Sequence, residues 1–138
     1  MVSRVVAAAA DRGLDGRIDA QRHDLTRTRP TGPFDLVYAC YFHSPVTINR
    51  NGVLRQAAAQ VAPGGCFLLI DHASPAPWSW KQLDPADIPT PRQTLDDLGL
   101  DPAEWFTVRC ERIHRTATGP DGHTTATVAD NVIVLRRT

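Results

Sequence analysis

The chain has 138 residues, the size of a single domain that buries about 68% of its unfolded surface without disulfide or metal staples. Lys and Arg number 15, as do Asp and Glu, so the net charge is zero; this argues against nucleic acid or an anionic membrane as the main partner. No apolar run approaches the ~20 residues of a membrane span.

Val2 to Arg12 is expected as a helix, because Val2, Val5, Val6, Ala9 and Ala10 recur at helical spacing and Gly13 offers a stop. Asp11 and Arg12 interrupt this opening and it lacks a clear apolar centre, so no signal peptide is expected. Ile18 to Leu25 alternates weakly as a strand does, and residues 26–33, rich in Thr, Pro and Gly, form a loop. Phe34 to Phe42 is the first strong strand, apolar enough to be covered on both faces. Asp35 lies at its entry, where a structural role is expected. Ser44-Pro45 then has the form of an N-cap with proline in the first turn. The helix that follows places Val53, Leu54, Ala57, Ala58 and Val61 on one face, with Asn51-Gly52 as a point where it breaks or restarts.

The "APGG" of Ala62 to Gly65 is expected to end that helix, and Cys66 to Asp71 to form a second buried strand. Strand, helix, Gly-Gly turn and strand make a parallel βαβ unit. Ser74 to Pro91, with two tryptophans, is too long for an inert connector and suits a lid or a substrate-facing wall. Leu95 to Leu100 is expected as a short helix, and "DPAEW" (Asp101 to Trp105) as another helix start. Trp105 suits an anchor between helix and hairpin. Phe106–Thr118 and Thr124–Arg136 read as strands joined by the tight turn "GPDG".

The chemistry-bearing residues admit competing readings. His43, at the end of the Phe34 strand, suits a catalytic proton acceptor near neutral pH or an ordinary hydrogen-bonding neighbour of a helix start. His72 after Asp71 suits a substrate contact or a strand-end pair. Trp78 and Trp80 suit an apolar substrate wall or a cover over the core. Five histidines lack any HxH, HxxxH or HExxH spacing, so no metal site is expected. Cys40, Cys66 and Cys110 are odd in number and without CxxC spacing, as expected of reduced, partly buried thiols in a cytosolic protein.

The segments "HDL" (His23 to Leu25), "FDLVYACYFHSP" (Phe34 to Pro45), "VLRQAAAQVAPGGCFLLIDH" (Val53 to His72) and "ATVADNVIVLRR" (Ala126 to Arg137), in this order, resemble a class I S-adenosylmethionine-dependent methyltransferase of the small bacterial, tellurite-resistance type. The resemblance implies an α/β, Rossmann-like sheet, mostly parallel, closed by a C-terminal antiparallel hairpin. It implies methyl transfer from S-adenosylmethionine to a small-molecule nucleophile. Asp24, with Leu25 beside it, matches the acid that contacts adenine. Ala39, Cys40 and Phe42, with His43, match the strand end facing the methionine part of the cofactor, and His72 and Trp78 fall on the substrate side. "VAPGG" would be a structural turn that binds nothing.

The family pattern also includes an N-terminal strand, a GxGxG loop and a second strand, none of which appears in this sequence. Residues 1–138 are therefore expected as one partial, N-terminally truncated methyltransferase-like domain. The edge of the Phe34 strand would then be apolar and favour association, as a homo- or hetero-oligomer. Two alternatives stay open: a non-catalytic binding or assembly subunit, and a fragment of a dinucleotide-binding oxidoreductase.

Overall fold

A computed structural model describes residues 2–43, 47–79 and 84–138. The chain divides into two units, residues 1–31 and 32–138. Among the described residues no helix is long and apolar enough to cross a membrane.

In the first unit, helix α1 spans Val2–Ala10 and ends at Gly13, whose φ of 64° is one that glycine adopts freely. The expected strand from Ile18 to Leu25 is not formed; this stretch is irregular. Local polar bonding wins there. The Asp24 carboxylate accepts the Thr26 N–H (3.0 Å) and hydroxyl (2.6 Å), which bends the chain into an Asx turn.

In the second unit four strands form one sheet: β1 (Phe34–Cys40), β2 (Val61–His72), β3 (Trp105–Thr118) and β4 (Thr125–Arg137), in the order β1-β2-β4-β3. Only β1 and β2 are parallel; β4 is antiparallel to both β2 and β3. The sheet is thus mixed and mostly antiparallel, which corrects the expectation of a mostly parallel one. The physical reason is the hairpin. Its second strand inserts beside β2, so two of the three interfaces inherit the antiparallel sense of a chain that turns back on itself.

Helices α2 (Arg50–Ala58) and α3 (Pro91–Leu98) pack on each other and on this sheet. Leu54 and Ala58, one turn apart on α2, face Phe67 and Leu69 of β2. Leu135 and Ile133 of β4 stand in register with those two residues, and Leu98 and Trp105 complete the core. Trp105 is therefore a core residue.

Several boundaries differ from those expected. α2 is capped by Asn49, whose side chain accepts the Gly52 N–H, so Asn51-Gly52 lies inside the helix rather than breaking it. The Ser44-Pro45 signal lies outside the described residues. "VAPGG" belongs to β2 instead of forming a separate turn. Phe34 pairs with Val61 while Leu36 pairs with Cys66, so the ladder carries a bulge between them. Gly64 sits at φ 80°, and a Cβ on Gly65 would stand 2.9 Å from the Asp35 carbonyl oxygen, which is why this bulge takes two glycines. "DPAEW" is a turn leading into β3 rather than a helix: Asp101 accepts the Ala103 N–H with its side chain and the Glu104 N–H with its carbonyl. α3 begins earlier than expected, because Thr90 and Gln93 form a capping box ahead of Pro91.

β1 is not covered on both faces. It lies at the edge of the sheet, with Val37 and Ala39 half-buried against the core and Phe34, Leu36, Tyr38 and Cys40 exposed. All three cysteines are free thiols; Cys66 and Cys110 are partly buried and Cys40 is exposed. Burial pushes the Cys110 thiol up from its ordinary pKa.

Candidate functional site

In an open α/β sheet ligands bind beyond the carboxyl ends of parallel strands. Here β1 and β2 end at Cys40 and His72, and an open cavity of about 1210 Å³ lies there, against the ~300–1,000 Å³ common for ligand pockets. Phe42, His43, His72 and Trp78, all singled out in the sequence, line it. Ala39 and Cys40 lie on β1 and are not among the lining residues. Asp24 and Leu25 belong to the first unit, where the Thr26 hydroxyl, and next its backbone N–H, hold the Asp24 carboxyl below its ordinary pKa. Trp80 lies outside the described residues.

Residues the sequence reading did not single out organise the cavity. Tyr41 follows β1 with φ 54°, a left-handed backbone that a tyrosine adopts only when its surroundings enforce it. Its N–H still donates to Ile70 O at 2.7 Å, continuing the ladder, while its ring stacks on His72 with centroids 4.2 Å apart. The Tyr41 hydroxyl donates to Asp130 Oδ2 at 3.0 Å. Arg115 Nε donates to the same oxygen at 2.5 Å, and its Nη2 reaches the Tyr41 oxygen at 3.4 Å. Burial, and next the bond to Asp130, raise the Tyr41 phenol above its ordinary pKa, and the bond to Asp130 raises Arg115.

The two carboxylates have matching surroundings. Asp130 is held by Arg115, and its buried Oδ1 lies 3.5 Å from His72 Nδ1. Asp71 is held by Arg50 at 2.5 Å, and its buried Oδ1 lies 3.9 Å from His43 Nε2. Arg50 Nε also donates to the Phe42 carbonyl at 3.0 Å, which ties α2 to the end of β1. The His43 and His72 rings are nearly parallel, 6.0 Å between centroids. Thus two Arg–Asp–His sets stand side by side. Register creates this proximity: His72 is the ladder partner of Asp130, and Asp71 of Asn131. Neither Oδ1 accepts a hydrogen bond among the described residues, and each faces an imidazole.

A sequence signal for part of this exists. Asp130-Asn131 interrupts the apolar run of β4, and a polar pair inside a core strand is rare unless it is satisfied. Tyr41, Arg50 and Arg115 carry no such mark.

No protein-family model matches this chain, and no curated protein matches it. Solved structures do. TehB from Haemophilus influenzae superposes with a TM-score of 0.65 at 11% identity, over 99% of this chain and 46% of that protein. A protein solved in work on the conversion of a disulfide bond into a thioacetal group during echinomycin biosynthesis superposes with a TM-score of 0.62 at 16% identity, over 99% of this chain and 62% of its own. This chain therefore spans less than two thirds of the length of either protein. At such identities the likeness concerns the fold alone: an open mixed sheet flanked by helices.

Proposed function

We propose that this chain takes part in S-adenosylmethionine-dependent methyl transfer, and that its cavity receives the small-molecule acceptor. The observation that carries this reading is the position of the two Arg–Asp–His sets. They converge on a cavity at the carboxyl ends of β1 and β2, in a fold of the methyltransferase-like kind.

The cofactor itself fits the described residues poorly. No glycine lines the cavity and the sequence has no GxGxG, so nothing there lets backbone approach a methionine group closely. Arg50, which lines the cavity, is engaged by Asp71 and the Phe42 carbonyl. The cavity's own residues serve the acceptor. Phe42 and Trp78 supply apolar wall, and His43 and His72 face the ligand with the buried carboxylates Asp71 and Asp130 nearby.

One observation favours the second reading, a non-catalytic binding or assembly subunit: the apolar face of β1 is exposed at the sheet edge where a further strand would pair. Isothermal titration of the full chain with S-adenosylmethionine separates the two. Saturable heat supports methyl transfer; no heat at millimolar cofactor leaves the assembly role.

A further inference from the structure

Trp78 lines the cavity from the segment after β2, and its seat is fixed from two sides. A turn closed by the Ser79 N–H donating to Ala76 O at 2.9 Å sets its backbone. On the other side is the β3–β4 turn. A Cβ added to Gly119 would stand 3.2 Å from Trp78 Cε3, closer than an ordinary van der Waals contact, so the indole closes against bare backbone there. Gly119 is not one of the positive-φ glycines, so its backbone does not call for glycine. Crowding does, from Trp78 and, at 3.2 and 3.3 Å, from Asp121 Oδ1 and Thr124 O. The turn is itself braced: the Gly119 N–H donates to Thr124 O at 2.7 Å and the Gly122 N–H to Gly119 O at 3.0 Å.

Three further rings line the same cavity in nearly parallel planes. Tyr41 stacks on His72 with planes 24° apart, and the His43 and His72 planes are 11° apart. Phe42, Pro75, Ile88 and Pro89 extend the apolar wall. The charged lining residues are mostly engaged: Arg50 pairs with Asp71 and Arg115 with Asp130, which leaves the exposed Asp87. A ligand there meets ring faces and apolar surface more than open charge, which suits an uncharged molecule. Aromatic rings gain from offset-stacked or edge-on contact with other rings beyond the area they bury, so a flat aromatic is favoured over a puckered ring of the same size.

We infer that this cavity takes a small uncharged ligand whose flat aromatic ring packs against Trp78, and that Gly119 is the residue that positions Trp78 for it. This names the class of the small-molecule acceptor in the reading above and rests on it. Gly119 is not among the lining residues and acts through the indole. Because both turns hold Trp78 before the ligand arrives, little side-chain freedom is lost on binding.

The test titrates the full chain calorimetrically near neutral pH with 2-naphthol and with 2-decalol, its saturated and puckered counterpart; both are uncharged there. The expected result is that 2-naphthol binds about tenfold tighter. Trp78→Leu should reduce that preference to about twofold or less while keeping an apolar wall. Gly119→Ala keeps Trp78 but crowds its ring. It should lower the preference about threefold with little change in melting temperature, a loss of selectivity that a purely structural role would not produce. If Gly119→Ala does not fold, adding Trp78→Leu should restore folding, since the added methyl group then meets no indole; failure to restore it overturns the positioning role. No binding of 2-naphthol, equal binding of the two probes, or a preference that survives in Trp78→Leu overturns the ligand class. A preference unchanged in Gly119→Ala overturns the positioning role. The methyl-transfer reading fails separately, by absence of heat with S-adenosylmethionine, and a preference for 2-naphthol seen without that heat leaves the aromatic site standing.

Discussion

Asp71 shows how much one side chain depends on a partner distant in sequence. Its carboxylate is buried at the end of β2, and Arg50 is the cation in direct contact with it. Arg50→Met should therefore destabilise the protein by about 1–3 kcal/mol, because a buried charge loses its bond. Urea denaturation near neutral pH measures this. Adding Asp71→Asn to Arg50→Met should recover part of the loss, since no unpaired charge then remains. The same scale shows where sequence reading ran out. His43, His72, Phe42 and Trp78 stood out as a histidine or an aromatic beside a strand end, and they line the cavity. Tyr41, Arg50 and Arg115 did not stand out, because an arginine or tyrosine in sequence carries no sign of the carboxylate it will meet.

At the scale of elements, local signals with a stereochemical basis were legible. Helix α3 was expected over Leu95 to Leu100; its stop at Gly99 is local, but the capping box of Thr90 and Gln93 starts it earlier, at Pro91. The β3–β4 hairpin follows from "GPDG" between two strand-like runs. Asp121 secures that turn: its carboxylate accepts the His123 N–H at 3.0 Å, the Thr124 N–H at 2.9 Å and the Thr124 hydroxyl. The Thr124 hydroxyl first, then these backbone groups, hold its pKa below the ordinary value. A depressed carboxyl pKa stabilises the fold above the unfolded value of about 3.9, and that contribution is lost as pH falls through the folded one. Asp121→Ala should thus lower the melting temperature near pH 7, and the difference from the unaltered protein should shrink toward about pH 3. A difference that persists unchanged in acid would refute this. Elements whose signals were weaker went the other way. "DPAEW" looked like a helix start, yet Asp101 bonds to the next turn and β3 takes the chain at Trp105.

Across the whole sheet, β1 at the edge has consequences for association. Leu36 and Tyr38 are 53% and 66% exposed on the same face of a strand with one open side. Sedimentation should show mass increasing with concentration for the unaltered chain and less so for Leu36→Lys. Because Leu36 is exposed, the substitution should change folding stability by no more than about 0.5 kcal/mol. A chain that stays monomeric at every concentration would exclude association through β1.

Most element types, their order and the residues of the core stripe were determined by the sequence alone, because periodicity, caps and turn residues act over a few positions. Phe67, Leu69, Leu54 and Ala58 are in the core for that reason. Strand order, the sense of each pairing and the meeting of Tyr41 with Asp130, 89 residues away, were decided only by the tertiary structure. Those depend on which edge a strand finds and in what register, and no local pattern encodes the partner of a hydrogen bond. The insertion of β4 beside β2 made the sheet mostly antiparallel and set Asp130 against His72.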